Sequence, residues 1–397
     1  MSNKQIQPIL IVSTAALLYF FMFFLRIMMS VISEDLSQEF NLSSQEIGFL
    51  SASFVCAYAF AQIPMGRIIA QIGSRKTIIY STIGIIIGSF LFQASHSLMQ
   101  ALLSRALIGL CFGGAFIIPL SLSRQWLPSS YFASSVGMIQ LLGCVGAMVS
   151  GTPIDILVKQ IGWRDTAFFT LLISILLFIV FCIIIKDKNE PDTSSVAPLG
   201  ATLYKILSNK NYWLIGVVAL ASWAPIGGFT ELWGIPYLMK IQGVSKQFVT
   251  TQLIYTWVSI AISSPICGYW AEHSDLKKPV YACYIIGIVS TLLIISGWIT
   301  HPWIISFLLI CMGITAGGQP IAFSMINRIS DSQTQAIATG FCNICVIAGA
   351  FLMQPLIGFL LDRPMNDYYY YLSFSPIVLT LLLGIIANYI VSTEKTR

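Results

Sequence analysis

Three charged side chains stand deep inside long apolar runs: Arg26 in FFLRIMMS, Arg105 in RALIGLCFGG and Glu231 in GGFTELWGIPYL. A charge at the middle of a lipid-embedded helix costs roughly 2.5–3.5 kcal/mol on insertion scales, so it persists only with a partner, a water-filled space or a task. The chemistry open to such residues is recognition and proton exchange. A guanidinium grips a carboxylate or phosphate through two parallel hydrogen bonds. Burial raises the proton affinity of a carboxylate and a facing cation lowers it, so Glu231 can hold or release a proton as its surroundings change. Two readings follow for Arg26 and Glu231: they bind a ligand and a proton, or they neutralise each other as a structural ion pair. Arg105 lies nearer the start of its apolar run, where a long side chain can instead snorkel to water. Gln140, Gln319, Asn343, Tyr58 and Trp233 are uncharged candidates, each able to touch a ligand or to bond a neighbouring helix.

Long helices must position these residues. The chain has 397 residues, 56% hydrophobic and only 9% charged, with a mean hydropathy of +0.82. Soluble domains carry about 25% charged residues, so this composition cannot cover a water-facing surface. A membrane-spanning helix needs ~20 mostly apolar residues, and twelve such segments are present. They cover about 8–33, 45–70, 76–95, 99–122, 133–154, 166–186, 211–238, 248–271, 279–299, 302–326, 335–360 and 371–392.

The net charge of +5 follows the topology of a membrane protein and is no nucleic-acid signature. With the N-terminus inside, 14 of the 21 Lys and Arg fall on the inner side and 5 on the outer. That excess marks the cytoplasmic face, so both termini are expected in the cytoplasm. The loop after the first segment carries Glu34, Asp35, Glu39 and Glu46 and no base. All nine cysteines sit in predicted helices, which argues against a disulfide framework. The first apolar run is too long for a signal-peptide core and reads as a retained helix.

The chain repeats itself. GLCFGG at Gly109–Gly114 returns as GITAGG at Gly313–Gly318, and Gly137 and Gly146 return as Gly340 and Gly349. A polar connector over 188–210 separates six segments in 1–187 from six in 211–397. The expected fold is all-α and integral to the membrane: twelve transmembrane helices in two pseudo-symmetric six-helix bundles. Paired repeats with a solute site near the bilayer midplane are a transporter architecture. Pro119 and Pro320 are expected to kink the fourth and tenth helices.

A short polar stretch is also written twice: GRIIAQIGSRK from Gly66 and GYWAEHSDLKK from Gly268. The first resembles the loop between helices two and three of the major facilitator superfamily, matching at Gly66, Gly73, Arg75 and Lys76. Its acidic position is Ala70 and the following basic one Gln71. The second copy keeps an acid at Glu272 and the bases Lys277 and Lys278, with Asp275 where the second glycine would stand. RALIGLCFGG, GWRDTAFF from Gly162 and QPLIGFLLD from Gln354 extend the resemblance along the chain. It implies that the loops are inner-face gates, in which the acid caps a neighbouring helix and the basic pair meets acidic partners. Arg26 matches an Arg of the organic-anion and sugar-phosphate permease branches that holds a phosphate or carboxylate there. The phosphate branch carries a second Arg in helix seven; this helix has no Arg, and Glu231 is its only charged residue. The resemblance also implies a part for Arg105 in proton coupling.

The expected function is proton-coupled secondary active transport, by alternating access, of a small anionic or zwitterionic solute such as an amino acid, short peptide or carboxylate, in the direction of uptake. An exporter of drugs, metabolites or carboxylate metal chelators on the same fold is the alternative; the fifth helix, GCVGAMVSGTP, lacks the Gly-Pro pair of many exporters. A membrane sensor is a third reading, but the longest polar loop is short. No Walker loop, nucleophile elbow or clustered metal ligands occur, and His96, His273 and His301 all fall in predicted loops. No enzyme activity, metal or cofactor is therefore expected. The expected partners are solute, protons and the lipid of a bacterial cytoplasmic membrane, with the monomer as the functional unit.

Overall fold

Among the residues described by the computed structural model (3–128, 131–188, 199–331, 334–363, 370 and 372–392), every regular element is a helix. The first half holds α1 (Asn3–Phe40), α2 (Ser44–Gln93), α3 (Leu98–Cys111), α4 (Ile117–Trp126), α5 (Phe132–Val149) and α6 (Thr152–Ile184). After a short α7 (Leu199–Leu207) come α8 (Lys210–Pro225), a π-helical segment Ile226–Trp233, α9 (Gly234–Gln242), α10 (Lys246–Glu272), α11 (Lys277–Ile295), α12 (Pro302–Gly313), α13 (Gly318–Ile329), α14 (Gln335–Leu361) and α15 (Ser375–Ile390).

These elements make twelve crossings. At 1.5 Å per residue the 50 residues of α2 would extend ~75 Å, against a hydrocarbon core of ~30 Å. The helix therefore turns back, and does so at Gly73, whose φ of 85° is open to glycine but strained for other residues. Gly162 breaks α6 in the same way at φ 79°. In each half one crossing is built from two helices joined by a 3₁₀ turn, Phe112–Gly114 between α3 and α4 and Ile314–Gly317 between α12 and α13. Pro119 and Pro320 lie just beyond these turns. A proline removes the hydrogen bond to the carbonyl four residues earlier, so each interruption falls upstream of its proline.

The chain divides into two compact units, Met1–Asp35 with Ser53–Val196 and Leu36–Ala52 with Ala197–Arg397. The sequence did not foretell that the turn at 41–43 and its flanks belong to the second unit. There α2 starts in a capping box: the Ser43 N–H donates to Glu46 Oε2 (2.9 Å) and the Glu46 N–H to Ser43 Oγ (3.3 Å). Asp362, at the end of α14, accepts the N–H groups of Ser44 and Gln45, both at 2.7 Å. One local expectation is corrected. Glu34, Asp35 and Glu39 lie in the last turns of α1, not in a loop. The polar connector contains α7, whose Ile206 is buried. Lys205 of α7 pairs with Asp331 at 2.6 Å; with the Thr334 hydroxyl and N–H it holds the Asp331 carboxyl well below the usual range.

Repeated glycines do the same work in both units. A methyl built on Gly109 would fall 2.1 Å from the Phe54 carbonyl oxygen, and one on its repeat mate Gly313 2.7 Å from that of Thr256. Gly146 lies as closely on the Phe20 carbonyl, and its mate Gly349 on that of Leu220. The glycines let helix backbones touch, as small residues do in membrane bundles. Gly109→Ala is expected to destabilise the protein by about 3 kcal/mol, because neither backbone can give way without separating α3 from α2. Gly137→Ala, where the added methyl meets open space, should leave thermal unfolding in detergent unchanged or raise it.

Candidate functional site

In the first unit, α1 is fastened to its neighbours at the turn that presents Arg26. Gly143 and Gly146 let α5 approach Tyr19 and Phe20. One turn further, Ser150 Oγ donates to the Phe24 carbonyl at 2.8 Å. Arg105 Nη1 donates to the Leu25 carbonyl at 3.0 Å. The two carbonyls preceding Arg26 are thus each held by a side chain from another helix. Arg26 itself is buried, with its guanidinium carbon 5.6 Å from the Phe23 ring centroid. Tyr58 is buried on α2. Gln140 of α5 is half-buried and accepts from Tyr19 at 3.4 Å.

Arg105 does not snorkel. It is 3% exposed, and its guanidinium carbon lies 4.8 Å from the Phe54 ring and 5.9 Å from that of Phe92. The reason is packing: Gly109, one turn on, draws α3 against α2 at Phe54, closing the route to water. Nε and Nη2, the side-on edge that matches a carboxylate, have no hydrogen-bond partner among the described residues.

In the second unit, Glu231 stands near the end of the π-helical segment IGGFTELW, all eight residues of which are buried. The wider π turn is accommodated where Gly227 meets Ala350 and Gly228 meets Met353 of α14, and such bulges recur at functional sites. Trp223 Nε1 donates to Glu231 Oε1 at 2.9 Å. Gln354 Nε2 donates to the Gly227 carbonyl at 3.0 Å and reaches Glu231 Oε2 at 3.5 Å. Trp233 Nε1 donates to the Gln354 carbonyl at 2.8 Å. Trp233 thus bonds a neighbouring helix, one of the two roles open to it from the sequence. Gln319 on α13 and Asn343 on α14 are half-buried. Trp223 and Gln354 escaped the sequence reading. Gln354 lies 123 positions from Glu231, and its only local signal is an amide before a proline in an apolar run.

Both repeated loops bond the last helix of their own half. In the first, the basic side chain meets a carbonyl: Arg75 Nη2 donates to Cys182 O at 3.2 Å. In the second, Lys277 Nζ donates to Tyr389 O at 3.1 Å. Each copy thus caps the last helix of its own half. The acid missing at Ala70 has a counterpart at a distance: Asp187 accepts the N–H groups of Ser74 (3.1 Å) and Arg75 (3.0 Å), where the second arm of α2 begins. In the other copy Asp275 Oδ1 accepts the N–H of Lys277 at 3.0 Å, so the residue replacing Gly73 starts α11 with its own carboxylate. Gly66 and Gly268 meet open space. Lys76 is exposed, as is Gly66; Lys278 and Glu272 lie at the start of α11 and the end of α10.

Twelve apolar crossings, with ionisable groups buried in both units, define a polytopic membrane protein. The profile of the Major Facilitator Superfamily matches residues 15–254 and 232–397, and the chain belongs to that superfamily. It is 22% identical over 300 residues to the cis,cis-muconate transport protein of Acinetobacter baylyi, covering 71% of this chain and 70% of that one. With the D-galactonate transporter of Escherichia coli strain CFT073 it shares 21% identity over 374 residues, covering 84% and 85%. It spans 50% of the length of a third relative, the rice "probable anion transporter 2, chloroplastic", at 24% identity. A crystal structure of a bacterial homologue of the human lysosomal transporter Spinster superposes with a TM-score of 0.79 at 14% identity, over 97% of each chain, a likeness of fold.

Proposed function

We propose that the chain takes up a small organic anion, a carboxylate above all, in symport with protons and by alternating access. The observation that carries this reading is Arg26: a guanidinium buried in α1, on a turn whose carbonyls are pinned by Ser150 and Arg105. A fixed, desolvated guanidinium favours a planar anion over water. The carboxylates in the names of the muconate and galactonate transporters support the class. Glu231 is the proposed proton carrier, and Arg105, with its side-on edge unpartnered among the described residues, assists the anion or the proton. Gln140, Tyr58, Gln319, Asn343 and Trp233 are proposed to shape the two half-sites. The halves 1–187 and 211–397 would be the moving bodies, joined by 188–210, with the repeated loops steadying each half. The Lys and Arg distribution supports cytoplasmic termini in a bacterial inner membrane, and one chain holding both halves supports a functional monomer.

Reconstituted into liposomes, the protein should accumulate labelled gluconate or muconate when the outside is acid and the inside neutral, and a protonophore should abolish the accumulation. Efflux from preloaded vesicles with no stimulated uptake would replace this reading by export.

A further inference from the structure

The side-chain amide of Gln354 is only half used. It is 1% exposed. Its Nε2 donates to the Gly227 carbonyl and approaches Glu231 Oε2, and its backbone carbonyl takes the Trp233 indole N–H. Its Oε1 has no hydrogen-bond partner among the described residues. Turning the amide over would set Oε1 against the Gly227 carbonyl, and against Glu231 Oε2 while that carboxylate is ionised. A buried acceptor without a donor is costly, and native proteins keep few of them. The nearest indole donors are engaged: Trp223 Nε1 bonds Glu231 Oε1 and Trp233 Nε1 bonds the Gln354 carbonyl. What remains is an acceptor on α14, beside a carboxylate that the π-helical segment carries.

We propose that Gln354 Oε1, beside Glu231, is a subsite for a hydrogen-bond donor of the transported solute, a hydroxyl or an ammonium group. Resting on the organic-anion reading above, this narrows the solute to a carboxylate that also carries such donors. A site built to hydrogen-bond a substrate group rejects an analogue lacking it, because the buried polar group is then left unpaired. A plain hydrocarbon acid leaves Oε1 as it stands, whereas a hydroxy acid or amino acid satisfies it.

Calorimetric titration of the full-length protein in detergent, with four probes, tests this. Gluconate carries a carboxylate and hydroxyls, 6-aminohexanoate a carboxylate and an ammonium, hexanoate a carboxylate alone, and sorbitol hydroxyls alone. Gluconate or 6-aminohexanoate should bind at least about tenfold tighter than hexanoate, and whichever does so tells hydroxyl from ammonium. Gln354→Met should bring the three acids to parity by weakening the donor-bearing probe and sparing hexanoate. Parity of the three acids in the wild type overturns the donor subsite and leaves the anion reading standing. Sorbitol binding as tightly as gluconate overturns the anion reading and leaves the subsite. Binding of none of the four overturns both. A uniform weakening of every probe in Gln354→Met also overturns the proposal. Should that variant not fold, the wild-type comparison decides, with Glu231→Gln as the second variant.

Discussion

Arg26→Gln is expected to lower carboxylate uptake at least ~100-fold, with Arg26→Lys recovering a small part of it. Hydrogen bonds to a charged partner contribute about 1.5–3 kcal/mol each, and a guanidinium can make two in parallel to one carboxylate. Losing both costs about 3 kcal/mol or more, which is two orders of magnitude in affinity. Lysine restores the charge but not the planar fork. The fold should survive, because the Phe24 and Leu25 carbonyls fasten this turn to Ser150 and Arg105 whatever side chain stands at position 26. Initial uptake rates and melting temperatures, measured on the same preparations, separate the two effects. An Arg26→Gln protein that binds gluconate as tightly as wild type would remove Arg26 from the site.

Glu231→Gln is expected to keep solute exchange while losing accumulation driven by a pH gradient. The amide oxygen can still accept the Trp223 indole N–H that Oε1 accepts at 2.9 Å, so the local packing is preserved. What disappears is the carboxyl proposed to take and release a proton during the cycle. Exchange of labelled for unlabelled solute across the vesicle membrane needs no net proton movement. Concentrative uptake by the proposed symport does, and should fall to the level seen without a gradient. Continued pH-driven accumulation in this variant would move the proton to another group, with Arg105 and its surroundings next to be tested.

Neither variant would have been chosen without the sequence. The type and depth of Arg26, Arg105 and Glu231 are visible there, because a charge in an apolar run stands out at any register. Twelve crossings were equally legible, since spanning length is a local property of composition. The repeated glycines were readable as marks of duplication. Their contacts, Gly109 on Phe54 and Gly313 on Thr256, show the repeat preserved as helix packing.

The sequence alone determined which side chains are costly in lipid and how many helices carry them, because both depend on short stretches of chain meeting one uniform solvent. Tertiary structure alone decided which atoms satisfy them. Asp187 starts a helix arm 112 residues away, Gln354 reaches Glu231 across 123, and Arg105 turns inward to the Leu25 carbonyl across 80. A hydrogen bond depends on tenths of an ångström between atoms that no periodicity relates. The π segment and the α7 helix belong with them: packing against neighbouring helices, not local propensity, sets the turn at Gly227 and buries Ile206.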